Sequence, residues 1–214
     1  MTVTEFAILP LRTTQTTPLP SSLLAKFKTA KEVLEKASGF TFYFLQQVED
    51  PSTVYILGSW PSVAAHHVFL PSPENQVLLE LLEDTVTASE IQLWHLEADI
   101  LKTSEGKQPI LDAPTISCNR HFVPSEKRAG FSEKMAEVKP LLEGYTRPYD
   151  VQGGWRIEKE VVQGNERDEW VLFSGFEDVD HHMAFAKTDE FAKYREIVEF
   201  VEGFEVKHLK RLRL

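Results

Sequence analysis

The chain of 214 residues has one cysteine, Cys118. That excludes an intrachain disulfide and a zinc site built on several thiolates. A lone thiol fits a reducing compartment, so the cytoplasm is the expected location. Basic residues are also scarce, with 23 Lys and Arg against 33 Asp and Glu, for a formal net charge of −10. Such a chain lacks the cationic surface that nucleic acid or an anionic membrane requires. The densest basic stretch, "KHLKRLRL" at the end, reads as a strand with one solvated face. No apolar run approaches the ~20 residues of a membrane span. The first residues, "MTVTEFAILPLRTTQ", lack the charged start and apolar core of a secretory signal. No G-x-G-x-x-G or G-x-S-x-G occurs, and no flavin, nicotinamide or ATP fingerprint, so no cofactor is expected.

What the chain does have is a repeat. "WPSVAAHHVF" (60–69) and "FEDVDHHMAF" (176–185) align when one is moved by 116 residues. Val63, His66 and Phe69 then fall on Val179, His182 and Phe185, giving V-x-x-H-x-x-F twice. With a small gap, "WHLEADI" matches "KHLKRLR", pairing His95 with His208. The period is too long for a solenoid, whose units run ~20–50 residues. A duplicated domain fits, with residues 1–101 as the first copy, 102–114 as a Gly- and Pro-bearing linker and 115–214 as the second.

Each half reads β-α-β-β-α-β. In the first, "TVTEFAILPL" is a strand and "TTQTTPLPS" a loop. A helix carries Leu23, Phe27, Ala30 and Leu34 at helical spacing and stops at Gly39. Two strands around "EDPS", a short His-bearing helix, a Ser-Pro helix start and a closing strand "EIQLWHLEADI" follow. The second half repeats this with a helix interrupted near Pro140, strands around the turn "QGNERD", a longer helix "TDEFAKYREIVEFV" and a last strand. This order predicts an antiparallel four-stranded sheet with both helices on one face. Two copies would cover each other's bare sheet faces, an internal pseudo-dimer in one chain that needs no second copy.

The stretch "VYILGSWPSVAAHHVFLPSPE" resembles the antibiotic-biosynthesis-monooxygenase type of dimeric α+β barrel, and "WVLFSGFEDVDHHMAFAKTDEF" is similar to a more diverged copy. The resemblance implies a tandem, ferredoxin-like α+β barrel in a single chain. It also implies a small-molecule enzyme of secondary metabolism, a cofactor-independent monooxygenase or a polyketide cyclase acting on an aromatic polyketide-like substrate. A non-catalytic ligand-binding or stress-related barrel is the alternative, since fold constrains chemistry weakly. Haem-degrading relatives combine an Asn on strand one, a Trp ending strand three and an iron-ligating His. Here Trp60 belongs to one half and Asn119 to the other, and Phe176 stands at the second Trp position, so that activity is not expected.

His66 and His182, equivalent in the repeat, are the candidate bases, set against a plainer role as imidazoles that pack the short helix to the sheet. Their neighbours His67 and His181 point ~100° away and are expected to face solvent. Adjacent His cannot share a metal, and no H-x-x-x-H exists. Only His66 with His95, or His182 with His208, leaves a zinc site conceivable, and no metal is expected. His95 and His208 read as solvent- or interface-facing strand residues. Candidate substrate contacts are Trp60, Tyr43, Trp155, Arg120 and His121. Arg120 shares the parity of Ile116, Cys118 and Phe122, and a cation on an apolar face needs a partner or a ligand. Strand aromatics such as Phe40, Phe42 and Phe44 form core more often than a binding wall. Cys118 is expected to be buried and inert.

Overall fold

A computed structural model describes residues 1–12, 18–162 and 164–214. Most of the Thr- and Pro-rich loop after the first strand (13–17), and Gln163 of the polar turn, lie outside the described residues. The chain forms two compact units, Met1–Asp99 with Lys210–Leu214, and Ile100–Leu209. No helix among the described residues is long and apolar enough to cross a membrane.

Unit 1 runs β1 (Val3–Pro10), α1 (Ser21–Ser38), β2 (Phe42–Gln47), β3 (Thr53–Trp60), α2 (Val63–Phe69), α3 (Pro73–Leu82) and β4 (Gln92–Leu96). Its strands lie in the order β4-β1-β3-β2, all antiparallel. Helix α1 buries the expected Leu23, Phe27, Ala30 and Leu34 and ends at Gly39, whose φ of 80° is a left-handed value that glycine adopts without strain. Phe27 meets Phe44 of β2, their rings 5.3 Å apart. Gly58 of β3 leaves room for the Phe42 ring, since a Cβ there would come within 2.3 Å of it. Phe42 in turn packs edge-on against Trp60.

Unit 2 repeats the plan with β5 (Thr115–Pro124), α4 (Arg128–Tyr145), β6 (Val151–Trp155), β7 (Glu160–Val162), β8 (Asn165–Phe176), α5 (Val179–Phe185), α6 (Asp189–Tyr194) and β9 (Gly203–Arg211). The strand order β9-β5-β8-β6 matches that of unit 1, with the short β7 added on β8. One core joins Phe131, Met135, Val138 and Leu142 of α4 to Val123, Leu172 and Phe176 of the sheet and Phe185 of α5. The helices therefore cover a single face of this sheet.

Three local expectations are corrected. Helix α4 runs through Pro140 without ending. Pro140 is solvent-exposed, so the missing N–H bond falls on the wet side while Val138 and Leu142 anchor the buried side. The longer helix of unit 2 is α only to Tyr194 and continues as a 3-10 turn, Arg195–Phe200. The strand expected before the turn "QGNERD", "GGWRIEKEVV" (153–162), is broken after Trp155 into β6 and β7. Residues 110–112 form one further 3-10 turn, with Ile110 and Leu111 buried.

Candidate functional site

The registers place the two halves in detailed correspondence. Val3 pairs with Trp60 as Thr115 pairs with Phe176, and Glu5 pairs with His95 as Ser117 pairs with His208. On the helix-facing side of the first strand, unit 1 therefore carries Glu5, Ala7 and Leu9 where unit 2 carries Ser117, Asn119 and His121. On the opposite side, Ile8 corresponds to Arg120.

Both short helices start on a capped N-terminus. Ser62 accepts from the Ala65 N–H, and Asp178 accepts from the His181 N–H at 2.7 Å. Each cap orients one imidazole onto the sheet. His66 Nδ1 lies 2.8 Å from His95 Nε2, and His182 Nδ1 lies 2.7 Å from His208 Nε2. Two nitrogens on one tetrahedral zinc, each ~2.0–2.1 Å from it, would be about 3.3 Å apart. The observed spacing is that of a direct hydrogen bond, and among the described residues no group of three or more His, Cys, Asp and Glu could hold a metal. His95 and His208 are thus corrected from surface to interior, being 0% and 5% exposed.

The surroundings of the two pairs differ. In unit 1 the Trp60 ring stacks on His66 at 4.4 Å, its Nε1–H donates to Glu5 Oε2 at 2.5 Å, and His66 Nε2 is 3.5 Å from the same oxygen. Glu5, Trp60, His66 and His95 are all buried. Burial pushes the Glu5 carboxyl up to about 7, against the opposing effects of the Trp60 hydrogen bond and the His95 charge. A groove of about 530 Å³ runs past Trp60, Ala65, Val68 and Val77, but His66 does not line it. Sequence reasoning missed Glu5. The available signal was a lone acid on a strand otherwise apolar.

In unit 2, Phe176 replaces Trp60 beside His182, ring centroids 4.4 Å apart. Asn119 Nδ2 donates to Ser117 Oγ at 2.9 Å. A cavity of about 290 Å³ opens between sheet and helices. Asn119, His121 and His182 are among the polar residues that line it, and Phe185, Phe191 and Ile197 belong to its apolar lining. Exposed Met183, Val198 and Phe204 lie at its rim with Arg195. His121 is buried, and desolvation holds its imidazole down to about 4, opposed only by a hydrogen bond with the Trp170 backbone.

The remaining predicted contacts lie elsewhere. Arg120 forms a two-pronged ion pair with buried Glu169, at 2.5 and 3.2 Å, and a third contact to Glu205 at 3.0 Å. Its need for a partner is met inside the protein. Trp155 is core, between Phe131 and Trp170. Tyr43 is half-buried under Arg211, 4.9 Å from ring centroid to guanidinium. Cys118 is buried, and burial pushes its thiol well above the usual range. His67 is exposed as expected, whereas His181 is half-buried against Tyr145, ring centroids 4.9 Å apart. The Asn and Trp of the haem-degrading set fall in different units, so neither unit's residues fit that chemistry.

No family model matches the sequence, and no curated protein matches it. Solved structures do resemble it over nearly its whole length. One is an anthrone oxidase-like protein, with TM-score 0.68 and 11% identity over 99% of this chain and 92% of that one. A candidate monooxygenase from Fusobacterium nucleatum subsp. nucleatum ATCC 25586 gives 0.64 and 13%, over 99% and 93%. Another from Lactobacillus acidophilus NCFM gives 0.62 and 11%, over 98% and 93%. At such identities the likeness shows the fold. The chain shares with these structures an α+β fold of tandem ferredoxin-like repeats.

Proposed function

We propose that the protein is a small-molecule oxygenase whose active site is the unit 2 cavity, with His182 as general base. The observation that carries this reading is that His182 borders a largely apolar cavity open at its rim, while its twin His66 is packed solid. The neighbours described as anthrone oxidase-like and as candidate monooxygenases support the reaction type. The substrate would be a small electron-rich aromatic of polyketide type, and the reaction would need no bound cofactor.

The geometry supports a specific proton path. With the shared proton on His182 Nδ1, donated to His208 Nε2, the lone pair of His182 sits on Nε2. That nitrogen removes a proton from an activated methylene of the substrate. The carbanion gives one electron to dioxygen, and the radical pair collapses to a peroxide, which takes the proton back from His182. Loss of water leaves a ketone, so one methylene and one O₂ become one carbonyl and one water. His208 spreads the transient positive charge, and Phe185 and Phe191 give the substrate an apolar wall. Base-assisted ring closure of the same carbanion would use the same residues without oxygen consumption.

The test is turnover of anthrone-like substrates by the purified protein, with and without dioxygen, in wild type, His182→Ala and His66→Ala. The reading requires oxygen uptake that collapses in His182→Ala alone. Binding without turnover in the wild type would leave the non-catalytic alternative standing.

A further inference from the structure

The second helix of each unit starts on the same kind of cap. Ser72 accepts from the Asn75 N–H and Thr188 from the Phe191 N–H. The 116-residue offset of the repeat brings these caps into register. With α3 and α6 aligned in this way, Leu78 corresponds to Tyr194. Leu78 is buried core in unit 1. A leucine therefore serves the fold at this position, and the hydroxyl that unit 2 adds needs another reason.

Tyr194 lines the unit 2 cavity. Its ring stands edge-on to Phe185, centroids 5.4 Å apart, and lies beside Phe191. Its hydroxyl has no hydrogen-bond partner among the described residues. The unpartnered polar atoms that are sealed from any contact sit on other side chains, His121 among them. The Tyr194 hydroxyl keeps accessible surface, although burial alone pushes its titration well above the usual tyrosine range. An enclosed oxygen that still has accessible surface faces a cavity. It also stays protonated at neutral pH, so it offers an O–H donor. The other polar side chains of the lining are engaged or placed elsewhere. Asn119 donates to Ser117, His182 meets His208, the free nitrogen of His121 is sealed, and Arg195 stands at the exposed rim. An unmade donor in apolar surroundings is costly unless a ligand completes it.

We propose that Tyr194 Oη is the donor that receives a ligand carbonyl, and that the substrate is an aromatic ketone whose activated methylene is conjugated with that carbonyl. The inference rests on the cavity being the ligand site of the proposed function. When His182 Nε2 takes the methylene proton, the electron pair of the C–H bond moves through the conjugated system onto the carbonyl oxygen. That oxygen gains the charge and accepts a stronger hydrogen bond from Tyr194, which keeps its own proton. Tyr194 is then a catalytic residue, since it touches the atom on which charge develops. The cavity, about 290 Å³, sits at the small end of ligand pockets and limits the ketone to a small fused-ring framework.

The experiment compares the wild type with Tyr194→Phe, which keeps the ring and removes only the hydroxyl. The full chain is titrated at pH 7 with 1-tetralone and with tetralin by calorimetry, and the carbonyl stretch of bound 1-tetralone is recorded by infrared difference spectroscopy. The wild type is expected to bind the ketone on the order of tenfold more tightly than the hydrocarbon, with the stretch lowered from its value in hexane. In Tyr194→Phe the two affinities should come within about twofold and the stretch should return to its hexane value. The melting temperature should hold or rise, because the lost hydroxyl had no partner in the free protein. A retained ketone preference or a stretch still lowered in Tyr194→Phe overturns the proposal, as does a wild type that does not distinguish the probes or binds neither. Oxygen uptake with anthrone-like substrates should fall about 10²–10³-fold in Tyr194→Phe, the range for a lost oxyanion donor. Ketone discrimination without any oxygen uptake would sink the proposed reaction and keep the carbonyl site. Oxygen uptake indifferent to Tyr194→Phe would remove Tyr194 from the reaction and leave His182 in it.

Discussion

Unit 1 and unit 2 hold the same imidazole pair in the same place, 2.8 and 2.7 Å apart, and surround it with opposite environments. Unit 1 seals its pair with Trp60 and a buried acid, then fills the rest of the strand face with Ala7 and Leu9. Unit 2 has smaller or more polar groups at each corresponding position, Phe176, Ser117, Asn119 and His121, and a cavity lies along Asn119 and His121. The His–His bond is therefore common structure, one that pins the short helix to the closing strand. In the proposed function, the site belongs to what differs. A motif that occurs twice in a chain points to the fold, and the departures from it point to the site.

The largest effect should break the two copies apart. His182→Ala is expected to lower turnover by about 10²–10⁴-fold, the usual range for a lost general base. His66→Ala should leave turnover nearly unchanged and cost stability instead, about 2–4 kcal/mol, through a core cavity and loss of the His66–His95 hydrogen bond. Steady-state oxygen uptake beside chemical denaturation measures both. Equal loss of turnover in the two variants would refute the division of labour.

Next comes Arg120, which stands where unit 1 has Ile8. Removing it as Arg120→Ala uncovers a carboxylate, Glu169, that is only 2% exposed, with Arg156 at 3.2 Å as its remaining close cation. The expected cost is about 3 kcal/mol of unfolding free energy, measured by chemical denaturation, with ligand binding in the unit 2 cavity unaltered. A binding defect at unchanged stability would return Arg120 to the substrate site.

Much of the fold could be read from the chain because it is written twice. The V-x-x-H-x-x-F echo gave the duplication, the order β-α-β-β-α-β gave the sheet, and the parity of Ile116, Cys118 and Arg120 correctly put them on one face. Parity alone could not say which face was wet. Arg120 finds its carboxylate on β8, 49 residues away, a partner no local pattern reveals. His95 and His208 looked like surface because their burial comes from α2 and α5, packed across the sheet. The cavity was illegible for a related reason. It lies along Asn119 and His121, each unremarkable alone, and its apolar lining comes from α5, α6 and the 3-10 turn after α6, which no local pattern brings together.

The two units should also answer pH in opposite senses. Glu5 is raised from 4.5 to about 7, so folding favours its protonated form. Its contribution is complete below pH 4.5 and is lost as pH rises through 7. His121 is lowered from 6.5 to about 4, so its contribution is complete above 6.5 and lost as pH falls through 4. Each is worth on the order of 3 kcal/mol at the far end of its window. Hydrogen exchange followed segment by segment resolves them. Protection in β1 and β3 should fall between pH 5 and 8 and be rescued by Glu5→Gln, which still accepts from Trp60. Protection in β5 and β8 should fall between pH 6.5 and 4 and be rescued by His121→Leu. Parallel pH responses in the two sheets would contradict the asymmetry drawn from these buried groups.

The smallest effect tests what the units share. Ser62 and Asp178 cap the two short helices in the same way, each side chain accepting from the N–H three residues on. These helices have seven residues apiece, too few to hold themselves together without packing and a cap. Ser62→Ala and Asp178→Ala should each cost about 1 kcal/mol. The consequences should then diverge. In unit 1 the helix is pressed on Trp60, so His66 stays in place and only the melting temperature moves. In unit 2 the helix carries half-buried His182 at the cavity, so a loosened cap also blurs the position of the base. Asp178→Ala is accordingly expected to lower turnover by roughly tenfold through misplacement of the base, with ligand binding in the unit 2 cavity little changed, because Tyr194 sits on α6. Ser62→Ala should leave both untouched. If the two cap variants behave alike in every readout, the short helix of unit 2 is no more a part of the site than its counterpart in unit 1.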